Sequence, residues 1–138
     1  FLYGSGVVVY VLKIPERLIP GRFDIWFHSH QLWHVFVLAA SVVSEVIGTV
    51  ALKQSHGFTR LLPAILAGSC YVLAVWLMAV AMRQLAMGIT YAVWAACGTA
   101  ATALIGVAFY SERLSAVQLL GLAFIVAGVV LLSLQPRA

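Results

Sequence analysis

Long hydrophobic runs closed by short polar breaks dominate the chain. Between Arg60 and Arg83, between Arg83 and Glu112, and between Arg113 and Arg137, 22 or more residues pass without a charge. A helix crosses a bilayer core with roughly 20 apolar residues, so each run suffices for one span. The pattern predicts spanning helices over residues 62–82, 87–110 and 116–134. An earlier one is predicted over 31–52, in a stretch interrupted only by His28, His30, His34 and one acid, Glu45. The polar turn at 53–60 contains Gly57, and Pro63 falls where a first helical turn tolerates proline. The breaks R-Q-L-A-M-G and Y-S-E-R-L-S are short, so successive spans must be antiparallel neighbours.

The start of the chain reads differently. Residues 1–12 are apolar but too few to span unless the helix continues upstream, and they read as the end of a truncated helix. Residues 13–24, K-I-P-E-R-L-I-P-G-R-F-D, hold two prolines, a Pro-Gly pair and five charges, which predicts a loop at the membrane surface. Phe23, Trp26, Phe27 and Trp33 then gather at the interfacial end of the next helix. The predicted fold is an all-α membrane protein, a four-helix unit preceded by a truncated apolar helix and a Pro-rich loop. The chain opens on Phe1, without the basic start of a signal peptide, and is expected to be a fragment or a processed product.

Composition sharpens this picture. Hydrophobic residues make up 64% of 138 and charged residues 9%, whereas soluble domains carry about a quarter charged residues. The lipid bilayer is therefore the expected solvent. The formal charge of +4 forms no basic face, because the Lys and Arg residues stand between hydrophobic runs. They are expected to orient spans, and no nucleic-acid partner is implied. Cys70 and Cys97 sit deep in apolar runs, with no CxxC spacing, and read as small packing residues.

Candidate chemistry centres on Glu45, the one acid embedded in a hydrophobic span. A carboxylate in hydrocarbon is expensive, which makes such a residue a functional candidate by default. It can hold a proton or, once ionised, a cation, and that mutual exclusion is the basis of antiport. In the last span Gly121 and Gly128, seven apart, share a face where small residues would allow close helix contact. His30 and His34, four apart, share another helical face. Two histidines are short of the three or four protein ligands of a zinc site.

From Val35 to Ala138 the chain resembles the small multidrug resistance family over essentially the whole length of such a protein. The match is carried by S-E-V-I-G-T at 44–49, L-K at 52–53, G-F-T-R-L at 57–61 with Pro63, G-I-T-Y-A-V-W at 88–94 and E-R-L-S at 112–115. The resemblance implies a four-helix exporter, not an enzyme, that works as an antiparallel homodimer and exchanges protons for aromatic or quaternary cations. It makes Glu45 the shared proton and substrate site, with Tyr71, Tyr91 and Trp94 lining the pocket and protons as coupling ion in place of any cofactor. Trp76 also matches a family aromatic and is assigned to packing. Family members commonly carry Gly-x-Gly where this chain reads A-C-G, so Gly98 alone is left to let the third helix of the unit kink. The V-I-G-T after Glu45 resembles the broad multidrug branch, whereas the guanidinium branch typically has a tryptophan there. The implied location is a bacterial-type inner membrane.

Residues 14–34, I-P-E-R-L-I-P-G-R-F-D-I-W-F-H-S-H-Q-L-W-H, resemble the last loop and start of the seventh helix in the progestin and adipoQ (adiponectin) receptor family. There the positions of His30 and His34 help to bind zinc, with a further ligand from an earlier helix that is absent here. The expected division is a receptor-like fragment over 1–34 and the transporter unit over 35–138, joined between about His34 and Ser41 inside one helix. The alternatives to an exporter are a fragment of a zinc-dependent seven-helix receptor with hydrolase-like chemistry, or a fusion product that does nothing.

Overall fold

The computed structural model describes residues 2–14 and 29–134, with side chains for 4–14 and 32–134. Among the described residues five helices follow in order: α1 (Leu2–Val11), α2 (Ser29–Gln54), α3 (Leu61–Ala81), α4 (Met87–Tyr110) and α5 (Ala116–Ser133). The last four are long and apolar enough to cross a membrane, with α2 contributing Leu32–Gln54. The all-α reading holds for the described residues. Most of the predicted Pro-rich loop lies outside them.

Helix ends follow from local chemistry. Pro63 is the third residue of α3, inside the turn whose N–H groups have no intrahelical acceptor. At the other end of the chain Ser115 and Gln118 form a capping box that starts α5: Ser115 Oγ accepts from the Gln118 N–H at 3.3 Å, and the Ser115 N–H donates to Gln118 Oε1 at 2.8 Å. α4 stops where Ser111 turns left-handed, φ 54°, and the Glu112 N–H folds back onto the Gly106 carbonyl at 3.1 Å.

α2 is the centre of the bundle. Along one stripe, at alternating steps of three and four, it buries His34, Val37, Ser41, Ser44, Gly48 and Ala51, and buried Ser55 continues the stripe just past its end; Val46 is buried off the stripe. α3 answers with buried Ala67, Ala74, Leu77 and Ala81 on the same repeat. In lipid, helices associate through close packing and polar contacts between backbones, and small residues permit both. Ser41 Oγ donates to the Ala74 carbonyl at 2.7 Å, and Ser44 Oγ to the Cys70 carbonyl at 2.8 Å. A Cβ added at Gly48 would lie 3.2 Å from Cys70 Cβ, so the helices touch where the glycine stands. α4 packs on another side of α2, and α5 packs chiefly on α4.

α1 lies antiparallel to the start of α2: Gly6 faces Phe36 and Trp33, and the Tyr10 ring stands 6.2 Å from Trp33. At Gly6 an added Cβ would come within 2.7 Å of Phe36 Cβ, so glycine is needed for this approach. Lys53 at the end of α2 pairs with Glu112 beyond the end of α4, which places these two helices parallel, as alternate spans must be.

Candidate functional site

Glu45 stands in the middle of α2, and its carboxyl lies against the α4 backbone at Gly98. A Cβ built on Gly98 would overlap Glu45 Oε2 and sit 3.1 Å from the carboxyl carbon and 3.3 Å from Oε1. α4 runs as an unbroken α-helix through this residue. Gly98, singled out in the sequence for bending, thus also makes room for a carboxyl group. That use is not legible in the sequence, because it depends on which helix faces Glu45.

Two buried polar atoms here have no hydrogen-bond partner among the described residues: Glu45 Oε2 and Trp94 Nε1. Such groups are normally satisfied, and leaving them bare is costly. Trp94 precedes Gly98 by one helical turn, and its ring lies 5.7 Å from that of Tyr91, which is half exposed. Tyr91, Trp94 and Gly98 are spaced i, i+3, i+7 and share one face of α4.

Tyr71 on α3 meets α2 one turn after Glu45. Thr49 Oγ1 donates to the Glu45 carbonyl at 3.0 Å, and the Tyr71 hydroxyl meets the same Oγ1 at 3.0 Å. With the threonine proton committed to the carbonyl, the tyrosine is the donor in this pair. Tyr71 is therefore tied to the helical turn that follows Glu45. Thr49 escaped the sequence reading as a site residue; its position four after Glu45 was the available signal.

The remaining candidates are dispersed. Gly121 and Gly128 lie on α5, which buries no residue, and a Cβ at either would meet nothing within 4 Å. Trp76 is half exposed beside an open groove on α3 formed with Gly68, Ser69, Val72 and Leu73, not packed inside the bundle. Cys97 is exposed, and Cys70 lies beside Gly48. His34 is buried, edge-on to Trp33 with ring centroids 4.7 Å apart. The side chain of His30 lies outside the described residues. Among the described residues no three His, Cys, Asp or Glu side chains gather as a metal site would require.

Comparison with known proteins gives two family matches. The model of the Small Multidrug Resistance protein family matches residues 32–125. That of the Haemolysin-III related family matches residues 1–45, the stretch with the adiponectin-receptor-like pattern. The two overlap within α2. The quaternary ammonium compound-resistance protein QacF of Klebsiella aerogenes is 42% identical over 100 residues, covering 72% of this chain and 91% of its own length. The multidrug transporter EmrE of Escherichia coli is 36% identical over 101 residues, 73% and 92% of the two chains. A guanidinium exporter of Yersinia pestis is 39% identical over 102 residues, 74% and 96% of the two chains. With four helices fit to cross a bilayer and these matches along most of its length, the chain belongs to the small multidrug resistance family of integral membrane proteins.

Proposed function

We propose that the chain is a secondary active exporter that exchanges protons for small aromatic or quaternary cations across a bacterial plasma membrane, with Glu45 holding one or the other. The observation that carries this reading is the Glu45 carboxyl itself. It lies at mid-helix against Gly98, with one oxygen buried and unpaired among the described residues and with the Trp94 and Tyr91 rings on the same face of α4 as that glycine. Aromatic faces attract organic cations, by about 2 kcal/mol when desolvated, and tolerate varied shapes. A carboxylate supplies the charge they lack. In this reading Tyr71, held on Thr49 one turn after Glu45, lines the same pocket from α3.

The names of the relatives, which cover quaternary ammonium compounds, multiple drugs and guanidinium, support a cationic cargo. The absence of a tryptophan shortly after Glu45 favours the broad multidrug branch. The active unit in this reading is an antiparallel homodimer with one Glu45 from each subunit. The exposed face of α5, with Gly121 and Gly128, supplies a contact between subunits, and Gly98 lets α4 bend as access alternates. No cofactor enters, and zinc has no part: the receptor-like reading would need a third ligand beside His30 and His34.

The test is proton release. Adding tetraphenylphosphonium to purified protein in a lightly buffered solution should release protons as the cation binds, and Glu45→Gln protein should show neither the tight binding nor the release. Tight binding without release would refute the shared site.

A further inference from the structure

At the far end of α2 a second carboxylate and a second aromatic ring already hold a cation. Lys53 Nζ is paired with the Glu112 carboxylate and lies 4.0 Å from the centroid of the Tyr110 ring. An anionic group beside an aromatic face is the chemistry that recognises an organic cation, and here the cation is the chain's own ammonium group. The fold builds this arrangement deliberately. Ser111 adopts its left-handed turn, the Glu112 N–H returns to the Gly106 carbonyl, and the Glu112 carboxylate comes to rest on Gly106, where a Cβ would lie 3.1 Å from the carboxyl carbon.

The place of this group in the bundle gives it meaning. Lys53 follows Glu45 by eight residues on α2, and Gly106 follows Gly98 by eight on α4. Along parallel helices both steps advance about 12 Å toward the same end. Glu45 on Gly98 and Glu112 on Gly106 are thus two carboxylates on one seam, the first in mid-membrane and the second at its mouth. The side chains of Lys53 and Glu112 are 47% and 51% exposed. Exposed ion pairs are weak, so an arriving cation displaces the ammonium at little cost.

We propose that Glu112 and Tyr110 form an outer subsite for hydrophobic organic cations, occupied at rest by Lys53 and vacated when a cation enters or leaves along the α2–α4 seam. The subsite stands on its own chemistry; its role as a staging point for cargo rests on Glu45 being the inner site.

The experiment uses the full chain carrying Glu45→Gln, titrated with tetraphenylphosphonium. The sequence has two lysines, Lys13 and Lys53, so reductive ¹³C-dimethylation gives two lysine NMR signals to follow, beside that of the N-terminal amine. The Lys53 signal should move on titration into the millimolar range, and the Lys13 signal should stay. Adding Lys53→Gln, which removes the resident competitor, should tighten tetraphenylphosphonium binding severalfold. Further change of Tyr110→Leu should weaken it about fivefold, and Glu112→Gln should abolish it. A stationary Lys53 signal, or an affinity indifferent to Lys53→Gln, would overturn the subsite. The methyl-lysine measurement needs no substitution at the clasp and decides the matter if a clasp variant fails to fold. Should Glu45→Gln protein bind as tightly as the unaltered chain, the inner-site reading fails instead, and the Lys53 signal still judges the outer one.

Discussion

One methyl group placed at position 98 separates the room Gly98 gives to Glu45 from any part it has in bending α4. In Gly98→Ala the new Cβ overlaps Glu45 Oε2 and lies 3.1 Å from the carboxyl carbon, so something must yield. The far end of a flexible side chain yields most easily, and the carboxyl swings away from α4. Holding a side chain about 30° off its rotamer costs about 0.5–1.5 kcal/mol, a two- to twelvefold loss of cation affinity at RT of about 0.6 kcal/mol. Folding stability moves the other way, since alanine outranks glycine in a helix interior by about 1 kcal/mol. The expected result is weaker tetraphenylphosphonium binding by titration, with a melting temperature equal to or above that of the unaltered protein. Ala96→Gly restores the first glycine of the family pattern without approaching the carboxyl, and it should leave binding unchanged while easing the bend of α4 and speeding transport. Unchanged affinity in Gly98→Ala, or the same affinity loss in Ala96→Gly, would refute the argument.

Trp94→Ala should weaken binding of a large aromatic cation by about 1–2 kcal/mol in titrations, with a far smaller effect on proton release at Glu45. Ser41→Ala and Ser44→Ala each remove a hydroxyl that joins α2 to α3; each should cost about 0.6 kcal/mol in denaturant unfolding, with cation affinity retained. Charge counting gives a third expectation. Lys53, Arg60 and Arg113 lie on one side of the bundle and Arg83 on the other, and the alternation of spans read from the sequence assigns Arg137 and the N-terminal Lys13, Arg17 and Arg22 to the side of Arg83. Positive loops stay in the cytoplasm, so the full chain should insert mostly one way and transport poorly. Removing residues 1–33 behind a new initiating Met should restore both orientations, measured as cysteine labelling at the C-terminus from each face.

The four spans were legible because each is a run of apolar residues closed by a charge or a helix-stopping turn. The span at 87–110 coincides with α4, bounded by R-Q-L-A before it and the Ser111 turn after it. The span expected over 31–52 runs further at both ends, Ser29–Gln54, since Lys53 and Gln54 are good helix formers and continue the last turn. Glu45 was conspicuous because a lone acid in hydrocarbon stands out in any reading. What escaped were relations between helices: Gly98 under the Glu45 carboxyl, Thr49 under Tyr71, and Lys53 on Glu112, which stands 59 residues away. Periodicity states which residues share a face, not which face meets which. The serines at 41 and 44 show the same limit, since in the sequence they are merely small residues in an apolar run.

Transport driven by a proton gradient tests the central claim most directly. Purified protein lacking residues 1–33 is reconstituted into vesicles that are acidic inside, and uptake of a cationic dye is followed as the gradient discharges. The account predicts accumulation of dye above its external concentration, coupled to loss of internal protons, and no accumulation with Glu45→Gln. Dye concentrated equally well by the Glu45→Gln protein would contradict it.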